Sequence, residues 1–119
     1  MFQLDQNESY WYPVSIEMID AEGRKRSFTF DAEFERLPQA ELEDMMLKIK
    51  DGVESDNPVR DREIVERVFR RWRKVADADG SELTVTPENR ERLLQRHPVQ
   101  PSIVRAWLKS MGWEGRRKN

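Results

Sequence analysis

Apolar and polar residues alternate with a period of two from Val14 to Met18, where Val14, Ile16 and Met18 interleave with Ser15, Glu17 and Ile19. The alternation returns in Phe28, Phe30, Ala32 and Phe34 against Thr29, Asp31, Glu33 and Glu35. This period marks half-buried strands. The connector Asp20-Ala21-Glu22-Gly23-Arg24 is short and polar, with a Gly for the positive φ that hairpin turns often need. Residues 12–36 therefore read as one antiparallel β-hairpin. Two strands alone are marginal in water, so the face carrying Phe28, Phe30 and Phe34 requires a helical layer or a partner sheet.

From Pro38 the period lengthens. Leu42, Met45, Met46 and Ile49 stand at helical spacing and predict a helix over 38–50, closed by Asp51-Gly52. Asp56-Asn57-Pro58 supplies a capping side chain and a first-turn Pro, and Ile64, Val65, Val68, Phe69 and Trp72 extend a second stripe over 58–74. Thr86 before Pro87 and Glu88 predicts a third helix over 87–96, carrying Leu93 and Leu94. Ile103, Val104, Trp107, Leu108 and Met111 form the last stripe, over 100–112, with Gly112 as its stop. Residues 113–119 read as a flexible basic tail, and 51–57 as the most flexible internal loop. The fold class is α+β, mainly α: one domain with an N-terminal antiparallel β-hairpin followed by about four helices.

Composition narrows the chemistry. The 119 residues are 37% apolar and 37% charged, with a net charge of −2 and no Cys. The missing Cys excludes disulfides, thiolate metal sites and Cys nucleophiles. No secretory signal or membrane-length apolar run is apparent, so a soluble intracellular protein is expected.

The stretch from Trp72 to Asn89 suggests a calcium loop on inspection. With Gly80 at the obligatory sixth position, Asp77 and Asp79 fall at three and five, but Val75 and Thr86 occupy the first and twelfth. Starting the frame at Asp77 rescues Glu88 at twelve and puts Glu82 where Gly is required. Asp77, Asp79 and Gly80 therefore read as a turn. His97 lacks the companions of a triad or dyad and reads as a surface residue. Arg60, Arg62, Arg67, Arg70, Arg71, Arg73 and Lys74 make the 58–74 helix basic, which admits a small nucleic-acid-binding regulator as the alternative function. Asp61, Glu63 and Glu66 among them favour a solvated face, and nucleic acid is the disfavoured partner. No catalytic site, cofactor or metal is expected, and the chain reads as a non-enzyme.

Four Trp residues are many for this length. Trp72 and Trp107 lie on apolar stripes, whereas Trp11 and Trp113 flank elements and are candidates for exposure. Met45, Met46, Trp72, Trp107, Met111 and Trp113 form the candidate partner-binding set, because Met repacks readily and aromatics anchor interfaces.

The motifs also follow a family order. Residues 28–37, FTFDAEFERL, precede Trp72, Val75, Asp77, Asp79-Gly80, Leu83, Thr86-Pro87-Glu88-Asn89 and Leu93-Leu94. Ile103-Val104-Arg105-Ala106-Trp107 and terminal Arg117-Lys118-Asn119 complete the series. In order and spacing it resembles the tail assembly chaperones of long-tailed bacteriophages and prophages. The resemblance spans most of the chain from Phe28 and is strongest from Trp72. It departs where such proteins often flank the Trp with Gly, here Arg71 and Lys74, and at Gln95-Arg96-His97 after the double Leu. It implies a non-enzymatic role in the host bacterial cytoplasm: coating the tape measure protein, helping to recruit tail tube protein, and absence from the mature virion. A frameshifted longer form of the same product and a homo-oligomer join the expected partners, with no membrane and no cofactor.

Overall fold

The computed structural model describes residues 1–4, 8–54 and 59–113. Its elements are β1 (Ser9–Ile19), β2 (Lys25–Glu35), α1 (Gln39–Glu54), α2 (Asp61–Val68), β3 (Phe69–Arg73), α3 (Pro87–Leu94) and α4 (Val99–Ser110). The α+β class holds, with the expected hairpin enlarged by a third strand into an antiparallel sheet of order β1-β2-β3.

The hairpin forms as its alternation requires. Tyr10, Tyr12, Val14 and Ile16 lie opposite Phe34, Ala32, Phe30 and Phe28, which puts all eight on one face. At the turn, the Asp20 carboxylate accepts from the Glu22 and Arg24 amides at 2.9 and 2.8 Å, and Gly23 takes φ +82°. Helices α2 and α4 cover the face, and Val14, Ala32, Phe34, Val65, Val68, Ile103 and Trp107 are all within 1% of complete burial. Phe28 remains half-exposed because β3 pairs only from Asp31 to Phe34 and leaves the distal hairpin without a third strand.

The predicted 58–74 helix is corrected. Its start at Asp56-Asn57-Pro58 lies outside the described residues; the helix itself covers Asp61–Val68, and Phe69 turns extended at φ −91°, ψ 119°. Phe69 and Trp72 are core residues of a strand, not of a helix. Their spacing of three reproduces a helical step because a β-bulge interrupts the register: Glu33 pairs with Arg71 and Phe34 with Phe69, leaving Arg70 extra. The bulge restores both aromatic rings to the same face. The aromatic Phe69 and Trp72 suit a strand, and β3 pairs with the side of β2 that the hairpin leaves open from Asp31 to Phe34.

Smaller differences follow local chemistry. Helix α1 continues through Gly52, which is buried, and ends at Glu54 rather than near 50. Helices α3 and α4 match 87–96 and 100–112 to within two residues at each end, and Gly112 closes the last with φ +84°. Arg67 ties α1 and α2 to the sheet, donating to Glu41 and pairing with Glu35 at 3.1 Å. The expected tail lies outside the described residues beyond Trp113.

The capping reading of Thr86 is met: its hydroxyl accepts from the Asn89 amide at 3.1 Å, with Pro87 in the first turn. Thr86→Ala should lower stability by about 1 kcal/mol in urea unfolding, since one orphan amide loses its partner. A change below a few tenths would show the cap to be replaceable by water.

Candidate functional site

The six expected partner-binding residues separate by burial. Met45, Trp72 and Trp107 are 7%, 3% and 1% exposed, and therefore belong to the core. Met45 stands on α1, Trp107 on α4 and Trp72 on β3, where the Trp72 indole donates to the Leu83 carbonyl at 3.0 Å, fastening the strand to the following loop. None of the three can meet a partner in the folded protein. Met111 is half-buried in a small recess with Tyr10, Leu42 and Trp107. Met46 and Trp113 come together on the surface.

These two line a groove of about 550 Å³ with Ile49, Lys50, Val53 and Glu54. Helix α1 supplies its floor. Met46, Ile49 and Val53 stand at i, i+3 and i+7, so they form one stripe along the helix. Val53 is 70% exposed and Trp113 42%, while Met46 and Ile49 are half-buried against the core. Gly112 turns the chain after α4, and the Trp113 amide donates to Leu108 at 3.1 Å, which sets the indole beside α1. Lys50 and Glu54 give the rim one charge of each sign. Such a surface can bury apolar side chains of a partner.

A second cluster covers the outer face of the sheet, and the sequence reading missed it. Trp11, Asp31, Glu33, Arg71 and Arg73 come from three strands. Glu33, only 7% exposed, accepts from Arg71 and from the Ser9 hydroxyl, both at 2.6 Å. Asp31 accepts from Arg73 at 3.1 Å and pairs with Lys74 at 3.2 Å. The Arg73 and Arg71 guanidinium groups lie 4.2 and 5.5 Å from the Trp11 ring centre, a cation–π arrangement. The signal was present in the alternation of Asp31 and Glu33 with the Phe residues, but its partners were assigned to a helix.

The Arg71 hydrogen bond is the main reason that the Glu33 carboxyl is held below its ordinary 4.5, with burial opposing and Ser9 assisting. Burial pushes Asp31 up, and the bonds from Arg73 and Lys74 outweigh it, leaving the group below its ordinary 3.8. Folded values below unfolded ones mean stability that is complete above the unfolded values and lost as pH falls through the folded ones. The urea midpoint should therefore be level above about pH 5 and decline steadily below about pH 4. Glu33→Gln should flatten part of that decline; an unchanged acid profile would show that the sheet cluster contributes nothing to it.

The basic residues of 58–74 are largely engaged within the fold. Arg62 meets Glu66 and Glu91 at 2.7 Å, Arg67 is held by Glu35 and Glu41, and Arg71 and Arg73 hold the sheet carboxylates. Beyond β3, Asp77, Asp79 and Gly80 make the expected turn. Asp79 accepts from the Ser81 amide and hydroxyl at 2.9 and 2.5 Å, Asp77 binds Arg92 at 2.8 Å, and Gly80 takes φ +89°. The arrangement joins a strand to α3, rather than two helices, through the Ala76–Glu82 bridge. Both Asp carboxyls lie below their ordinary values, Asp77 chiefly through Arg92 and Asp79 chiefly through Ser81. His97 is exposed in the turn before α4.

No helix of the described residues is long and apolar enough to cross a membrane. No family model, curated protein or solved structure matches the chain.

Proposed function

We propose that this chain is a tail assembly chaperone of a long-tailed bacteriophage or prophage, a non-enzymatic protein that binds the tape measure protein in the host cytoplasm. It helps recruit tail tube subunits and leaves before the virion is complete. The observation that carries the reading is the groove of Met46, Ile49, Val53 and Trp113 on α1. An apolar stripe on one helix, backed by an aromatic side chain, suits an amphipathic helix laid against it, which is the form a long helical tape measure segment presents. Lys50 and Glu54 at the rim can each meet an opposite charge on that helix.

Lys74 adds local support. It stands at φ +68°, in the left-handed region that favours glycine, at one of the two positions where such chaperones often carry Gly. A Gly would take that backbone conformation without strain, and the Lys74 side chain pairs with Asp31 at 3.2 Å. The engagement of Arg62, Arg67, Arg71 and Arg73 with carboxylates weighs against the nucleic-acid alternative. That alternative requires steeply salt-dependent DNA association, and a flat response in a shift assay removes it.

The test is coexpression with the tape measure and tube proteins of the same genome. The tape measure protein should stay soluble and elute with this chain; failure to associate with either protein would overturn the assignment.

A further inference from the structure

Strand β1 lies at the edge of the sheet, and the direction of its hydrogen bonds is fixed by both ends of the hairpin. Arg36 donates to the Glu8 carbonyl at 2.9 Å, and Asp20 donates to Arg24 at 2.8 Å. Both pairs share the register of Tyr10 with Phe34, so the even-numbered residues of β1 exchange bonds with β2. The odd-numbered residues turn their amides and carbonyls away from the sheet. Pro13, which has no N–H to offer, falls in that outward set. Ser15, Glu17 and Ile19 therefore present backbone donors and acceptors at an edge that no strand among the described residues covers.

The same three residues line an open cleft of about 810 Å³, with His97, Ser102 and Arg105 on its other wall. Helix α4 runs antiparallel to β1 here, because the Tyr10 hydroxyl meets Ser110 at 2.6 Å while Ser102 and Arg105 stand beside the far end of the strand. Ser102 is 3% exposed, and its hydroxyl has no hydrogen-bond partner among the described residues. A buried hydroxyl that has no protein partner and borders a cleft keeps its hydrogen-bonding capacity for a group that enters the cleft. Arg105 is exposed and forms no ion pair among the described residues. Glu17, the carboxylate in the lining, is already paired with Lys25 at 3.5 Å.

We infer that this cleft binds an extended acidic peptide segment, which adds a strand to β1 and sets a carboxylate against Arg105. The edge amides supply main-chain pairing to any sequence, and the Arg105 fork with the Ser102 hydroxyl selects a carboxylate side chain. The site shares no lining residue with the α1 groove, so it is a second docking surface and stands independently of the chaperone assignment.

The probe is a fluorescein-labelled peptide that alternates Thr and Val around a central Glu, titrated against the intact chain and read by fluorescence polarisation. Saturable binding is expected, weakened about tenfold or more by Arg105→Glu and equally by a Lys in place of the peptide's Glu. Ser15→Pro removes an edge N–H that the β1–β2 ladder does not use, and should weaken binding with the circular dichroism unchanged. If that variant unfolds, protection of the Ser15, Glu17 and Ile19 amides by the peptide in the unaltered protein makes the same measurement. Full competition by equimolar acetate would reduce the cleft to a carboxylate pocket and overturn strand addition. Absence of binding at millimolar peptide, or binding indifferent to Arg105→Glu, overturns the proposal outright.

Discussion

Trp107→Ala should lower the free energy of unfolding by about 3–5 kcal/mol and the melting temperature by on the order of 10–20 °C. Trp107 is the largest fully buried side chain, at 1% exposure, and it stands on α4. The sheet face and α2 both pack on that helix, so no neighbouring element is free to collapse into the space that alanine would leave. Val99, Ile103 and Ala106 share the buried face of α4, which makes the lost volume a cavity inside one continuous core. Urea unfolding followed by far-ultraviolet circular dichroism measures the loss. A reduction under about 1 kcal/mol would mean that the indole is not the centre of the packing described here.

The second large effect is expected at the surface and without any loss of stability. Val53→Asp puts a charge on the most exposed residue of the α1 stripe, at 70% exposure, where the folded chain alone gives it water. Against an apolar helix the same carboxylate must be stripped of solvent without a partner. Recovery of the tape measure protein with the variant should fall about tenfold or more, with melting unchanged within a degree or so. Trp113→Ala should act in the same direction from the other wall of the groove. Undiminished recovery with Val53→Asp would move the client to another face.

The difference between the sequence reading and the structure lies in a few identifiable places. The β1–β2 hairpin was legible because Val14 and Ile16 on β1 and Phe30, Ala32 and Phe34 on β2 are buried on one face, which keeps period two in each strand. Thr86, Gly80 and Gly112 were legible because each acts through its own backbone neighbourhood. Strand β3 was not. Its bulge at Arg70 places Phe69 and Trp72 three residues apart on one face, and α2 ends in the residue just before, so the stripe of Ile64, Val65 and Val68 runs on without a break in spacing. Reading that strand as helix also hid the outer-face cluster, since Glu33 and Asp31 meet Arg71 and Arg73 only across a ladder.

Which of the candidate partner residues reach the surface was not legible from their type. Met45 and Met46 are adjacent in α1, yet one faces the core and the other the groove. Composition cannot separate them; the rotation of the helix against the sheet does. The outer edge of β1 had a sequence signal in Pro13, whose missing amide marks the outward set of the strand, but the cleft beside it depends on where α4 lies.

On the reading proposed above, the protein works by offering surfaces. The α1 groove bears the central claim, and a photoreactive amino acid in place of Val53 tests it most directly. Illuminated in cells producing the tape measure protein of the same genome, the substituted chain should yield a covalent adduct with that protein, the adduct disappearing when the photoreactive group is moved to the buried Val65. A tape measure protein that copurifies yet never crosslinks at position 53 would contradict the groove as its binding site, and one that neither copurifies nor crosslinks would contradict the chaperone role itself.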